Sequence, residues 1–243
     1  MIRIDRGERI NMNILSVADI HGNRNIYKHI IEVIREKDVD VLILPGDLYP
    51  KPFSVTFEMF KAIQEESAQE ISSLFKHLDI PIYYVLGNDD WVDSEIKSGI
   101  NLHGKVVEHM GIHFTGFEYI KETPFFTNRE LSEDQLKIAF RKQINTLQLK
   151  SKEPLVIVAH TPLFEKQDRI TGGERVGSQS LRMEIENLNP FIYLGGHIHE
   201  DFGADKLGDT YVFNCACSHE IDLLRGYVIR IKEGQVTYED VIR

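Results

Sequence analysis

Apolar runs and amphipathic stretches alternate along the first half of the chain. Five runs are almost wholly apolar, as expected of parallel strands that helices cover on both faces of a sheet. They lie at residues 14–18, 41–44, 82–86, 155–159 and 191–194. Apolar residues at helical spacing follow the first two runs, over about 25–37 and 55–78. This alternation predicts strands that pair in parallel through helical crossovers.

The rest of the chain carries antiparallel signals. Two strand patterns, 105–110 and 112–117, are separated by Gly111 and predict a hairpin. Ser132 and Gln135 have the spacing of a capping box, so a helix is expected to begin near Ser132. The pattern predicts a long irregular segment over 161–177 and a helix over 179–187. It also predicts three strands, over 211–214, 226–232 and 235–242. Together the patterns predict a two-sheet core with helices outside.

Length and composition fit one α/β domain. At 243 residues the chain can form one sizeable core, and its 42% hydrophobic and 27% charged residues are ordinary for a globular protein. No run approaches the roughly 20 apolar residues of a membrane span. The charged start lacks the apolar region of a signal peptide. We therefore expect a cytoplasmic protein, with residues 1–12 as a flexible extension and residues 13–243 as a single domain.

The net charge of the chain limits the kinds of molecule that the protein is expected to bind. The net charge of −10 argues against binding to long nucleic acid, which depends on many Lys and Arg contacts with phosphate. A small phosphorylated substrate stays compatible with this charge, because bound divalent cations dominate the local field.

Cys215 and Cys217 cannot form a disulfide framework in such a chain. Buried inert thiols are favoured over a metal or redox role.

A polar cluster follows each of the five apolar runs. The carboxyl ends of parallel strands open onto one edge of a sheet, so these clusters should converge in the fold. Their carboxylate, imidazole and amide groups indicate a dinuclear metal site, and this mixed ligand set suits Mn, Fe, Zn, Co or Ni better than Ca. Gly46 is expected to let the backbone approach the site closely. The candidate ligands are Asp19, His21, Asp47, Asn88, His160, His197 and His199.

With these residues the chain resembles the calcineurin-like metallophosphoesterase superfamily, in five motifs that occur in the family's order. They are Asp-x-His at 19–21, Gly-Asp at 46–47, Gly-Asn at 87–88, His160, and Gly-His-x-His at 196–199. The resemblance implies a four-layer α-β-β-α sandwich, in which helices flank two mixed β-sheets and the metal site lies at the carboxyl ends of the strands.

The resemblance also implies two divalent metal ions, with Mn²⁺ expected first. One ion would be held by Asp19, His21, Asp47 and His199, and the other by Asp47, Asn88, His160 and His197. The implied reaction is phosphoester hydrolysis by in-line attack of a hydroxide held on two ions about 3.5–4 Å apart. Asn88 is in addition a candidate for substrate binding.

The third motif departs from the family pattern. The family has a His after the Gly-Asn pair, which contacts the phosphate and helps to protonate the leaving group; here that position is Asp89, followed by Asp90. An ionised Asp89 would repel phosphate unless it bound a cation or turned away. We therefore expect phosphodiesters or phosphoanhydrides with good leaving groups to be preferred over alkyl monoesters. Residues 177–181 and 199–203 similarly resemble a phosphodiesterase-related branch. Asp89 and Asp90 are catalytic candidates, with orientation of Asn88 as the alternative role of Asp90.

A few further side chains are candidates for contact with substrate. His103, at a turn, is a catalytic candidate. Arg169 and Arg175 in the long loop are substrate-binding candidates, because guanidinium forks match phosphate oxygens, although an exposed loop arginine is more often only solvated. Trp91 either stacks on a substrate ring or packs in the protein. His219 is expected to be an ordinary surface or strand residue.

Two other functions compete with hydrolysis. Loss of the usual third-motif His favours a non-catalytic scaffold that binds proteins, whereas retention of all seven candidate ligands opposes it. A nuclease is disfavoured by the acidic charge and by the lack of a basic run to line a groove. The physiological substrate, the native metal and the formation of a homo-oligomer stay open.

Overall fold

The apolar runs form strands of two large sheets. The computed structural model describes residues 10–147 and 154–243. Its strands are β1 (Asn11–Ser16), β2 (Val41–Pro45), β3 (Ile82–Val85), β4 (Ile100–Asn101), β5 (Val106–His109), β6 (Ile112–Phe117), β7 (Ile120–Lys121), β8 (Glu130–Leu131), β9 (Leu155–Ala159), β10 (Ile192–Gly195), β11 (Gly203–Leu207), β12 (Thr210–Asn214), β13 (Arg225–Lys232) and β14 (Gln235–Ile242). Its α-helices are α1 (Arg24–Glu36), α2 (Phe57–Phe75), α3 (Glu133–Thr146) and α4 (Gln179–Leu188).

Both large sheets are mixed. The first has the order β14-β13-β1-β2-β3-β4, in which β1 to β4 run parallel and β13 and β14 are antiparallel additions. The second has the order β11-β12-β10-β9-β6-β5, with four parallel strands between two antiparallel edges. The short strands β7 and β8 pair separately. The parallel pairing predicted from the alternating runs is thus confirmed.

Three apolar layers hold the sheets and helices together. Successive strand residues face opposite sides of a sheet, so Ile14 packs in the core shared by the two sheets while Leu15 packs in the core under α1 and α2. On the outer face of the second sheet, Leu136 of α3 and Leu181 of α4 pack against Ile157. The order of layers is therefore helices, sheet, sheet, helices, which confirms the four-layer sandwich.

The first strand begins earlier than the sequence pattern predicted. All six residues of β1 pair with β13, and Met12 lies opposite Ile231 with no exposed surface. The predicted boundary of a flexible extension at residue 12 is therefore wrong for residues 10–12, while residues 1–9 lie outside the described part of the chain. The reason is the antiparallel partner, since β13 extends the ladder beyond the run shared with β2.

The structure confirms the predicted hairpin turn and the predicted helix cap. The hairpin between β5 and β6 turns at Met110 and Gly111, whose φ angles are +49° and +77°. Ser132 and Gln135 form the predicted capping box at the start of α3.

Cys215 and Cys217 are buried and free, and burial raises the pKa of the Cys215 thiol to about 12. Within the described ranges, the helices are too short or too polar to cross a membrane.

Candidate metal centre

Five loops bring the candidate ligands to the carboxyl ends of the parallel strands. Three of the loops leave the first sheet and two leave the second. Asp19 and His21 follow β1, Asp47 follows β2, Asn88 follows β3, His160 follows β9, and His197 and His199 follow β10.

Four of these residues have backbone conformations that side-chain-bearing residues rarely adopt. The φ angle is +59° at Asp19, +49° at His21, +53° at Asp47 and +78° at His197. Such conformations cost about 1–3 kcal/mol each and persist where the surrounding structure imposes them. Here the first two loops are tied together, since the N–H of Asp19 donates to the Gly46 carbonyl (3.0 Å) and that of His21 to the Asp47 carbonyl (2.9 Å). The fold therefore fixes the directions of these side chains at a cost in stability.

Asp47 lies between two groups of potential ligands. Its Oδ2 is 3.2 Å from Nε2 of His160 and 3.6 Å from Nε2 of His21. One donor atom from each of Asp47, His160 and His197 lies within 4.8 Å of the others, and the same is true of Asp19, His21 and Asp47. Asp47 therefore belongs to both groups, and its carboxylate is the group that they share.

Asp19 connects the loops of the two sheets. Its Oδ1 is 3.4 Å from Nε2 of His199 and 3.8 Å from Nε2 of His160. Its Oδ2 accepts a hydrogen bond of 2.8 Å from the backbone N–H of His197. The ring of His197 in turn lies edge-on to that of His160, with 5.1 Å between centroids. The structure thus brings the aspartates and histidines together around two carboxylates.

Hydrogen bonds hold the far edges of two imidazoles. Nδ1 of His160 is 2.8 Å from the Pro45 carbonyl, and Nδ1 of His199 is 3.0 Å from the Cys217 carbonyl. A carbonyl only accepts, so Nδ1 carries a proton in each ring, and whenever the ring is neutral the lone pair is on Nε2, beside the carboxylates. Contacts of this kind fix the tautomer and orientation of histidines that bind metals.

Several potential ligand atoms at the centre make no hydrogen bond within the described part of the chain. Among residues 10–147 and 154–243, the buried side-chain atoms without a hydrogen bond include Oδ1 of Asp19, Oδ1 of Asn88 and Nε2 of His160. The Asn88 Nδ2 donates to Thr127 Oγ1 (2.9 Å), which leaves the amide oxygen free. An unpaired buried polar atom costs about 1–3 kcal/mol. Coordination to divalent cations would satisfy all three atoms, so the residues fit such ions.

The electrostatics of the centre also favour cations. Burial opposes protonation of His160, but the carboxylates of Asp47 and Asp19 raise its pKa to about 10. Burial likewise opposes protonation of His199, and Asp19 raises its pKa to about 9. Burial and the charge on His160 lower the pKa of His197 to about 4. The carboxylates therefore attract positive charge, which divalent cations would supply in place of the histidine protons.

Two glycines allow the loops to approach each other. Gly46 has a φ angle of +92°, and a Cβ there would lie 2.6 Å from Nδ1 of His160. A Cβ on Gly87 would lie 2.5 Å from the backbone nitrogen of Asp47 and would overlap its Oδ1. The close approach predicted at Gly46 is confirmed, and a second one occurs at Gly87.

Asp89, which stands at the position of the usual third-motif His, forms an ion pair with Lys51. The two charged atoms, Lys51 Nζ and Asp89 Oδ2, are 2.6 Å apart, and the side chains are 42% and 8% exposed. The backbone N–H of Asp89 donates to Asp47 Oδ1 (2.9 Å). Burial and the charge on Asp47 raise the pKa of Asp89, whereas Lys51 opposes this shift. The carboxylate therefore binds a cationic group, one of the two arrangements in which it would not repel phosphate.

Asp90 holds the loops of two candidate ligands together. It is fully buried, and its carboxylate accepts hydrogen bonds from the N–H groups of Gly87 (2.8 Å), Leu48 (2.9 Å) and Tyr49 (2.9 Å). These bonds join the loops that carry Asp47 and Asn88. The geometry fits the alternative role of orienting the loop of Asn88, and a catalytic role for Asp90 stays a prediction.

His103 does not lie among the candidate ligands. Its Nδ1 accepts a hydrogen bond of 3.3 Å from the N–H of Glu118, and its ring is 5.3 Å from that of Tyr119. Burial lowers its pKa. Trp91 packs edge-on against an aromatic ring of α2, 5.5 Å between centroids. The contacts of His103 are with the segment between β6 and β7 and that of Trp91 is with α2, and a contact of His103 with substrate stays a prediction.

The two loop arginines are bound within their own loop. Nη1 of Arg175 pairs with Oδ1 of the fully buried Asp168 at 2.6 Å. Nη1 of the exposed Arg169 donates to the Gly173 carbonyl at 3.1 Å. Arg175 therefore neutralises a buried carboxylate, and a substrate-binding role for either arginine stays a prediction.

Sequence reasoning missed three residues close to the centre, namely Lys51, Thr127 and His219. Lys51 and Thr127 lie in irregular loops, where no pattern marks them. The ring of His219 lies 4.1 Å from that of His21, although it was expected to be an ordinary surface or strand residue. A signal for it existed, because β12 is another parallel strand and His219 follows its carboxyl end.

Comparison with known proteins agrees with this geometry. The profile of the calcineurin-like phosphoesterase family matches residues 12–201. An uncharacterized protein of Methanocaldococcus jannaschii is 32% identical over 213 residues, which are 84% of this chain and 87% of that protein. The chain belongs to the calcineurin-like phosphoesterase family.

Solved structures show the same fold at low sequence identity. A protein of Thermus thermophilus superposes with a TM-score of 0.67 at 15% identity, covering 95% of this chain and 99% of that one. A dimetal phosphatase from Danio rerio superposes with a TM-score of 0.57 at 10% identity, covering 96% of this chain and 98% of that one. The similarity to these two proteins concerns the fold.

Proposed function

We propose that the protein is a metal-dependent phosphoesterase that hydrolyses phosphodiester or phosphoanhydride bonds of a small phosphorylated substrate at a centre of two divalent cations. The observation that carries this proposal is the place of Asp47 in two groups of potential ligands. One cation would be held by Asp19, His21, Asp47 and His199, and the other by Asp47, Asn88, His160 and His197. Mn²⁺ is the first candidate, ahead of Fe, Zn, Ni and Co.

Each part of the centre has a separate task. The bound cations would supply an activated water and positive charge for the phosphate oxygens. Asp47 holds the two sites together, and Thr127 orients the amide of Asn88 toward them. Asp90 fixes the two loops that carry these residues. The groups are therefore in place before substrate binds, which limits the reorganisation needed during reaction.

The Lys51–Asp89 pair supports a preference for good leaving groups. An imidazolium at this position would donate a proton to the departing oxygen, which matters most for a basic alkoxide. The ammonium of Lys51 stabilises Asp89 as a carboxylate, and a carboxylate has no proton to give. Substrates whose leaving group is weakly basic need no such proton. Nitrophenyl diesters and nucleotide anhydrides are of this kind.

The variant Asp89→His is expected to increase turnover of alkyl monoesters relative to a nitrophenyl diester. General acid catalysis contributes about 10²–10⁴-fold, so an increase of at least about tenfold in this ratio is expected. Steady-state kcat/KM for both substrates measures it. The control is Asp93→His, a nearby aspartate whose side chain is 95% exposed. Faster cleavage of alkyl monoesters than of the diester by the wild-type protein would reverse the assigned preference.

A substrate panel tests the proposed function itself. Diesters, cyclic nucleotides, nucleotide anhydrides and monoesters are each supplied with Mn, Ni, Co, Zn and Mg. We expect turnover of at least one diester or anhydride with a cation that accepts nitrogen ligands. A protein that binds no metal and hydrolyses nothing in the panel would contradict the proposal and leave the scaffold function standing.

A further inference from the structure

A third imidazole lies beside two of the candidate ligands. The ring of His219 is 4.1 Å from that of His21 and 5.3 Å from that of His199, measured between centroids. One nitrogen from each of the three residues lies within 4.8 Å of the others. His219 belongs to none of the five motifs that located the other ligands, and nothing in the proposed mechanism uses it.

The loop that carries His219 is held in place on both sides. Ser218 and Leu223 close it through two backbone hydrogen bonds of 3.1 Å. Asn23, which caps α1, donates from Nδ2 to the His219 carbonyl (3.0 Å) and to Asp222 (2.6 Å). The position of His219 is therefore fixed by the same segment that follows the Asp-x-His motif.

Two ring nitrogens in this group of histidines make no hydrogen bond. Within the described ranges, Nδ1 of His21 and Nδ1 of His219 are both buried without a hydrogen bond. The side chain of His21 is 5% exposed and that of His219 is 24% exposed. Nε2 of His219 is 3.7 Å from Oε1 of Glu220, so a carboxylate lies near the other nitrogen of the ring.

We propose that His219 is an additional ligand of the cation that His21 and His199 hold. This inference rests on the metal centre of the proposed function. Two nitrogens bound to one ion at roughly 2.0–2.1 Å lie at most about 4.2 Å apart. One nitrogen from each of the three residues lies within 4.8 Å of the others, so a small shift of the rings would bring them to this separation.

A third imidazole changes which metal the site prefers. The ligand set of this cation becomes three imidazoles with the carboxylates of Asp19 and Asp47. Imidazole suits Zn, Ni and Fe, whereas carboxylate suits Mg and Mn. His219 therefore shifts the metal preference of this site toward nitrogen-preferring ions such as Co²⁺ and Ni²⁺. Without His219, the four remaining ligands would favour Mn²⁺.

The variant His219→Phe tests this role, because phenylalanine keeps a ring against His21 and removes both nitrogens. The measurement is Co²⁺ binding to the full chain by calorimetry and by visible absorption, without any substrate. We expect the affinity of one of two sites to fall by roughly tenfold or more, with a smaller change for Mn²⁺. The matched control is His77→Phe, an exposed histidine just beyond α2.

The outcomes separate the two proposals. Unchanged Co²⁺ affinity and spectrum in His219→Phe, with two cations still bound, would overturn the role of His219 and leave the metal centre intact. Reduced Co²⁺ affinity in a protein that hydrolyses no phosphoester would support His219 and contradict the proposed function. A wild-type protein that binds no cation at all would contradict both the role of His219 and the proposed function. Thermal unfolding of the metal-free variants shows that each is folded before titration.

Discussion

Replacement of Asp47 by Asn is expected to abolish hydrolysis and to weaken both cation sites. Asp47 is 2% exposed and is the one residue in both the Asp19–His21 group and the His160–His197 group. The amide keeps an oxygen but loses the charge that would bind two cations. Metal ions supply several kcal/mol to such reactions, and about 4 kcal/mol corresponds to a thousandfold. A fall in kcat/KM of at least about a thousandfold should accompany loss of bound metal.

The fold should survive this substitution. The oxygen of an Asn at position 47 can still accept the hydrogen bond from the N–H of Asp89, and a buried charge is removed. The control is Asp205→Asn, an exposed aspartate that pairs with Lys166. Circular dichroism, metal analysis and kinetics on both variants give the comparison. An Asp47→Asn variant that keeps two cations and more than about a tenth of its activity would show that Asp47 does not bridge the sites.

Replacement of Gly87 by Ala should also impair the centre, although it changes none of the ligands. The added Cβ would lie 2.5 Å from the backbone nitrogen of Asp47 and would overlap its carboxylate. One of the two loops must therefore move. Disturbing the support of metal ligands costs about 10–100-fold in affinity or activity, and overpacking costs about 1–3 kcal/mol of stability. We expect losses of this size in metal affinity, kcat/KM and free energy of unfolding.

Gly203→Ala is the matched control. The atom nearest to a Cβ on Gly203 would be Cγ of Gln167 at 3.1 Å, and that flexible side chain can move; the next, the Asp201 carbonyl oxygen, is at 3.8 Å, an ordinary contact. Chemical denaturation and metal titration of both variants measure the two effects. If Gly87→Ala bound metal as tightly as Gly203→Ala, the close packing of the two loops would have no role in holding the cations.

The candidate ligands could be predicted because each follows a strand directly. A buried parallel strand is visible as an apolar run, and its carboxyl end sets the place of the next few residues. Asp19, Asp47 and His160 all meet this rule. The order of the motifs then matched a known family, so the fold and the centre followed from local patterns and their sequence.

The features that escaped prediction depend on contacts between distant segments. Lys51 pairs with Asp89 across two loops, and no periodicity marks an irregular loop. The two adjacent aspartates, Asp89 and Asp90, have the same side chain, yet only the backbone path sends Asp90 toward three N–H groups. The start of β1 was missed because its partner β13 lies near the other end of the chain. Such contacts are set by tertiary packing.

Diffraction from crystals grown with excess Mn²⁺, recorded for its anomalous signal, tests the central claim most directly. The account predicts two peaks about 3.5–4 Å apart, bridged by the carboxylate of Asp47. One peak should lie next to His21 and His199, and the other next to Asn88 and His160. The account would be contradicted if crystals at saturating Mn²⁺ showed clear electron density for these side chains but no anomalous peak among them.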